Sequence, residues 1–409
     1  MNEFLRVAGE CGKSYLATGG PTSRLEERLM TAGQVHGYKC DVYATPTAVF
    51  VSVRDAAGAN VTSLETIQES STNFRDMLFY DSLLTSLSVG SEALGVLHDR
   101  LSRFKTLKFS IPLVTLASFL IGFVASLPRY GNWTGALGSG LITAIIYLLN
   151  RPLGKKLKFS SVFTDFVGCL VAFVASIAAG TFLNVPVPSL VIGSLVLIVP
   201  GLTLTSAISE LAEHNFVSGT VKMMKALLIL VAMGVSYVLV ENFLMSIGYS
   251  AKMSMQDVAA SGLVSKPWFQ MLARVIMTAS FCVFFHLPLR AFPAAMFCGL
   301  ASILVLDEFK DPRLFVLASF SASLTVGLVS LSLAKIYQWP SQVFSTTGIL
   351  SLVPGLLALS TFYSVSDQAP QGTIAYRVAL TAGAITFGLF TARMPFRFYN
   401  NLRNYPVTK

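Results

Sequence analysis

Leu195–Leu204 reads LVLIVPGLTL, an apolar run with Pro-Gly at its centre. Proline removes a backbone donor and clashes with the preceding turn, and glycine is the next-poorest helix former. Nothing polar beside it suggests an ordinary surface turn. A second stretch, Leu350–Leu359, reads LSLVPGLLAL, and its Pro354 lies 154 positions after Pro200. Two greasy segments are thus interrupted in the same way. The rest of the chain explains why.

The sequence has 409 residues, 53% hydrophobic and only 12% charged, with a mean hydropathy of +0.64. A soluble domain carries about 25% charged residues, so most of this chain does not face water. Residues 1–105 read as a soluble α/β domain. From Phe109 onward, apolar segments of about 17–25 residues follow one another, each long enough to cross a hydrocarbon core. Ten spans are expected: 109–127, 133–149, 163–183, 188–208, 220–240, 268–287, 289–306, 313–333, 341–361 and 373–392.

Basic residues mark the inner side. Arg100, Arg103, Lys105 and Lys108 precede the first span, Arg151, Lys155, Lys156 and Lys158 follow the second, and Arg393, Arg397, Arg403 and Lys409 follow the tenth. An even number of spans then puts both termini in the cytoplasm. The N-terminus MNEFLRVAGE has no apolar core for a signal peptide. The net charge of +9 is accounted for by these joints rather than by nucleic acid. Five cysteines without a CxxC pair, and four histidines without ligand spacing, support neither disulfides nor a metal site. No cofactor is expected. GECGKS (Gly9–Ser14) lacks the first glycine of a phosphate loop, since position 7 is Val7, and no strand precedes it.

In the front domain, Ser23-Arg24-Leu25-Glu26 fits a capping box. KCDVYA and TAVFVSV alternate around Thr45-Pro46 as paired strands, and Leu78–Leu101 reads as one or two amphipathic helices. This domain is expected to modulate the membrane part rather than form its pathway.

Aligning Pro200 with Pro354 also aligns Gly201 with Gly355, Ser206 with Ser360 and Pro186 with Pro340, without a gap. The fold expected is therefore a polytopic α-helical membrane protein of about ten spans. It forms two five-span repeats, 106–250 and 251–409, behind the front domain. Five spans per half invert the second half, the plan of many secondary transporters. Broken spans in corresponding positions point to a substrate site where they meet, lined by Pro200, Gly201, Thr203, Ser206, Pro354, Gly355 and Ser360. Glu210 and Glu213 follow the first break, and the repeat sets Asp367 opposite Glu213. With Asp165 and Arg274, just inside spans three and six, these are candidates for proton coupling or gating, because intramembrane charges mark pathways.

The segments GGPTSRLEERLMTAGQVHGYKCDVYATPTAVFVSV, VPGLTLTSAISELAEHNFVSGTVK and LVPGLLALSTFYSVSD resemble the motifs of the threonine/serine exporter family. That family includes two-subunit systems exporting dicarboxylates such as succinate. The resemblance covers nearly the whole chain, with both halves fused. It implies a ten-span exporter in the inner membrane, driven by protons and moving small amino acids or organic acids outward. Where the family often has an aspartate after VPG, this chain has Glu210. The partners expected are such a substrate, protons and lipid; homo-oligomerisation stays open. The alternatives are a passive channel or a non-transporting regulatory or enzymatic membrane protein. An enzyme should bring several titratable groups to one depth, and the sequence offers no such cluster.

Overall fold

The computed structural model describes residues 1–68, 71–106, 108–130, 133–155, 159–212, 214–248, 264–309, 311–350, 352 and 371–404. Its front segment runs α1 (Asn2–Ala17), α2 (Thr22–Val35), β1 (Lys39–Thr45), β2 (Ala48–Arg54), β3 (Asn60–Thr66), α3 (Phe74–Val89) and α4 (Leu94–Arg103). The strands form one antiparallel sheet in the order β1-β2-β3, with Thr45 opposite Ala48 across the Pro46–Thr47 turn. Alternation explains its one-sided core: Cys40, Val42 and Ala44 of β1 and Val49, Val51 and Val53 of β2 point inward. Phe4, Ala8, Cys11 and Tyr15 of α1 pack in the same cluster, together with Leu25 and Leu29 of α2. Gly9–Ser14 is continuous helix within α1, so it is no phosphate loop. Gly90, at φ 67°, separates α3 from α4 in a left-handed cap that glycine adopts without a Cβ penalty.

The capping box expected at Ser23 does not form. The N-cap of α2 is Pro21, Ser23 lies inside the helix, and Glu26 instead accepts the Ala44 N–H at 2.8 Å. A tertiary donor outcompeted the local one.

The remaining helices are α5 (Ile111–Tyr130), α6 (Trp133–Lys155), α7 (Ser161–Leu183), α8 (Val187–Leu195), α9 (Gly201–Ala212), α10 (Phe216–Ser246), α11 (Pro267–Phe284), α12 (Phe292–Glu308), α13 (Phe315–Tyr337), α14 (Gln342–Leu350) and α15 (Gln371–Asn404). Among the described residues, α6, α7, α10, α11, α12 and α13 are long and apolar enough to cross a membrane, and α5 adds a shorter apolar stretch. This is a polytopic helical membrane protein. Leu227, Leu228, Val231, Val235 and Val238 leave one stripe of α10 exposed and apolar, as a lipid-facing helix requires. At ~1.5 Å per residue α10 measures about 46 Å, longer than a hydrocarbon core of about 30 Å. It therefore tilts in the bilayer or extends past the core at an end.

The two halves share details at the 154-residue offset. Helices α7 and α13 each have 23 residues and end in a left-handed residue, Asn184 (φ 51°) and Gln338 (φ 58°). Pro186 and Pro340 follow, and α8 and α14 each have nine residues. Helix α6 packs on α7 and α8 as α12 packs on α13 and α14.

The front segment is docked on the helical part. The Phe74 N–H donates to the Phe285 carbonyl at 3.1 Å, and Arg75 lies 4.6 Å over the Phe109 ring. Its core continues into Leu287 and Ala291 of the α11–α12 joint, and Phe344 of α14, with Tyr337 and Trp339 packed alongside. In the first half the contact is made at the start of α10, where Ser218 Oγ donates to the Ala44 carbonyl at 3.5 Å.

Inside the front segment, Arg24 holds Asp81 through two bonds, Nε–Oδ1 at 2.7 Å and an Nη2 bond at 2.9 Å. Asp81 is buried and Arg24 about a quarter exposed. Asp81→Ala is expected to destabilise this segment by roughly 3 kcal/mol, the low end for breaking a buried pair, because Arg24 keeps some solvent. Denaturant unfolding followed by near-UV circular dichroism checks it.

Candidate functional site

The Pro200 break divides the fourth apolar segment. Helix α8 ends at Leu195, residues 196–200 turn, and α9 restarts at Gly201. Pro200 has no N–H for the Val196 carbonyl, which ends the regular ladder. The chain turns tightly instead: the Ile198 and Val199 N–H groups both donate to Leu195 O, at 2.9 and 3.0 Å. A helix end leaves its last four carbonyls without intrahelical donors. One of them, Gly193 O, has only a long turn bond from the Val196 N–H at 3.4 Å and also accepts from Thr143 Oγ1 of α6 at 3.1 Å. Alongside, Ser139 Oγ donates to Gly122 O of α5 at 3.1 Å. A Cβ on Gly193 would overlap both Ser139 Oγ and the Gly122 carbonyl, so only glycine lets the three backbones meet.

Helix α14 repeats the arrangement. Ser302 Oγ of α12 donates to Gly348 O at 3.1 Å, and Gly348 stands two residues before the helix end as Gly193 does in α8. Thr347 Oγ1 crosses back to Ala295 O at 3.3 Å. Pro354, Gly355, Ser360, Glu213 and Asp367 lie outside the described residues. Leu202, just past the first break, packs against the cluster that contains Ile349 and Leu352, so the first break adjoins the end of α14.

From the break, Thr203, Ser206 and Glu210 follow at i, i+3 and i+7, one face of α9. Ser206 Oγ donates to Leu202 O at 2.8 Å and Thr205 Oγ1 to Gly201 O at 3.0 Å. These two hydroxyls serve the backbone of their own helix in this state. Glu210 lies about 14 Å along the axis from Gly201 at 1.5 Å per residue, so it stands at the far end of α9 rather than at the break.

At that end of α9 Glu210 is 8% exposed. Its Oε1 pairs with Lys222 Nζ of α10, while Oε2 is buried without a donor among the described residues. Glu26 of the front segment stands close by. Burial lifts the Glu26 carboxyl above its ordinary pKa, the Ala44 hydrogen bond opposes this, and the Glu210 charge adds to the rise. Asp165 of α7 feels Lys225 of α10 as its nearby cation, and Arg274 pairs with Asp307 between α11 and α12. The structure thus brings Glu210 to the front segment and leaves Arg274 in a half-exposed pair elsewhere. Sequence reasoning missed Glu26, Lys222, Asp307, Thr143 and Ser302. A charge such as Lys222 in the first turns of an apolar helix was the available signal. Among the described residues no cluster of His, Cys, Asp and Glu could hold a metal ion.

Two expectations follow from this geometry. Gly193→Val should cost about 1–3 kcal/mol by overpacking, read as lower membrane abundance and a lower melting temperature in detergent, with Gly193→Ala intermediate. Because the folded state raises the Glu26 pKa, it holds that proton more tightly than the unfolded chain. The associated stability is present at low pH and is lost as pH rises from about 4 through the raised value. Thermal unfolding of Glu26→Gln should therefore vary less with pH across that window than the wild type.

Two family profiles match the chain. "Putative threonine/serine exporter" covers residues 6–244, and "Threonine/Serine exporter, ThrE" covers residues 270–394. A "Probable threonine/serine exporter" of Mycobacterium tuberculosis is 21% identical over 386 residues, covering 91% of this chain and 72% of that protein. "Pheromone-regulated membrane protein 10" of Candida glabrata is 22% identical over 403 residues, covering 92% of this chain. The chain spans about half of that longer relative, 49% of its length. No solved structure matches the chain. Together with the helical membrane architecture, the first profile alone, spanning more than half of the sequence, shows that the chain belongs to the threonine/serine exporter family of membrane transporters.

Proposed function

We propose that this protein is a proton-coupled secondary exporter of small hydrophilic metabolites, threonine- or serine-like amino acids foremost, across the cytoplasmic membrane. The observation that carries the reading is the interruption of an otherwise apolar segment at Pro200-Gly201, packed next to the end of α14. Irregular backbone at membrane depth is tolerated only where protein buries it or a wet cavity is lined by it. The first-turn amides of α9 face the break, and a helix N-terminus favours a substrate carboxylate there. In this reading Pro200, Gly201, Thr203 and Ser206 line one side of the path, and Pro354, Gly355 and Ser360 the other. Glu210 carries or relays the proton at the inner mouth, with Glu213, Asp367, Asp165 and Arg274 as further charged positions along the route.

The same reading has ten spans in two inverted halves behind an N-terminal cytoplasmic α/β domain. Matched ends support the inversion. In the second half the joint after α13 packs into the front core, through Tyr337 and Trp339, whereas in the first half it is the start of α10 that touches the front segment. Halves of opposite orientation would present such non-equivalent ends to one side. Both termini and the Arg151–Lys158 joint then lie in the cytoplasm, as the basic residues favour.

Purified protein in liposomes loaded with labelled threonine, serine or succinate tests the proposal. Efflux against a concentration gradient, abolished by an uncoupler, is expected; downhill, uncoupler-insensitive flux would mark a passive channel instead. Pro200-Gly201→Ala-Ala should insert normally yet lose roughly tenfold or more of the transport rate, equal to about 1.4 kcal/mol in the limiting barrier. Glu210→Gln should flatten the dependence of export on pH.

A further inference from the structure

Ala44 is one residue at which the front segment meets the membrane part. Glu26 Oε1 of α2 accepts the Ala44 N–H at 2.8 Å, and the Ala44 carbonyl accepts from Ser218 Oγ of α10 at 3.5 Å. Lys222 follows Ser218 by four residues, on the same face of α10, and it pairs with Glu210. The end of β1 is thus seated over the mouth where the polar face of α9 arrives. Glu26 and Glu210 flank the end of β1, the first bonded to Ala44 and the second paired with Lys222 one helical turn from Ser218. Lys222 occupies Glu210 Oε1, while Glu210 Oε2 is sealed from solvent and lacks a donor among the described residues. A buried carboxylate oxygen left without a donor is costly.

We infer that Glu26 of the front segment, Lys222 and Glu210 together form the inner recognition site for a zwitterionic amino acid. The inference rests on the export reading above and assigns its substrate class. An ammonium group brings three donors, enough for Glu210 Oε2 and the Glu26 carboxylate together, and Lys222 is the group that meets the substrate carboxylate. A dicarboxylate brings no donor, and it places like charges against two carboxylates, a juxtaposition that excludes wrong partners. The site therefore selects amino acids over dicarboxylates. Access to it requires the β1–β2 hairpin to lift from Ser218. The front segment becomes a wall of the pathway, which departs from the purely modulatory role expected of it.

The test uses the full-length protein in liposomes, with threonine and succinate as the probes. Glu26→Gln keeps an acceptor for the Ala44 N–H but loses the charge. It should raise the KM for threonine about tenfold, the loss of a charge-assisted contact, with the maximal rate little changed. It should also lower the preference for threonine over succinate. Glu26→Asp should keep that preference, and Glu27→Gln, one position along on the exposed side, should match the wild type. In an otherwise wild-type chain, Ser218→Cys should react more slowly with a thiol reagent when threonine is present, and at an unchanged rate with succinate. This second measurement stands even if Glu26→Gln fails to fold. A wild type that exports while Glu26→Gln leaves both KM and preference unchanged overturns the composite site alone; so does equal protection of Ser218→Cys by both probes. A wild type that exports neither solute overturns the export reading and the site with it.

Discussion

The orphaned carbonyls of a broken helix are the constraint on which the membrane part is built. Once Pro200 interrupts the ladder, the carbonyl end of α8 is satisfied partly by tight turn bonds to Gly193 and Leu195 and partly by a neighbouring helix, since an unpaired peptide group in an apolar medium costs several kcal/mol. Thr143 supplies a donor to Gly193 and Ser302 supplies one to Gly348. Those hydroxyls come from the second helix of each half, so the break dictates which helices are neighbours and how close they stand. Gly193 has no room for a side chain because α5, α6 and α8 converge there. The break, the hydroxyls and the small residues are a single solution to a single hydrogen-bonding problem.

The second constraint lies at the edge of the membrane part, where charge has to be neutralised and aromatic surface covered. The front segment does both. It buries Phe344, with Tyr337 and Trp339 alongside, and sets its β1 end beside Glu210 and Lys222. The front segment and the end of the membrane helices are linked at Ala44, whose N–H bonds to Glu26 and whose carbonyl accepts from Ser218. Lifting the hairpin from Ser218, as the proposed site requires, breaks one hydrogen bond at Ala44 and leaves the Glu26 bond within the front segment. That is a modest barrier compared with unfolding the segment, whose own core and Arg24–Asp81 pair stay intact.

Much of the architecture was legible in the chain. The apolar segments expected at 133–149, 163–183 and 313–333 correspond to α6, α7 and α13, and the interruption at Pro200 falls where Pro-Gly stands. The paired strands around Thr45-Pro46 formed with the expected turn. β3 escaped notice because NVTSLET is an edge strand with mostly exposed, polar residues and no apolar alternation to read. α1 escaped because its regular apolar face is diluted by four charged residues and two glycines.

Sequence alone determined what is local: which segments are too apolar for water, where the backbone cannot continue a helix, and which joints carry positive charge. These follow from side-chain transfer energies and from the missing N–H of proline, properties a residue has wherever it sits. Tertiary structure alone decided partnership. Glu26 reads locally as a cap for its own helix but binds Ala44, eighteen residues away, and Lys222 reads as an end-of-helix charge but neutralises Glu210. A hydrogen bond or an ion pair depends on distances of about 3 Å and on direction, and only the folded packing of separate helices sets those.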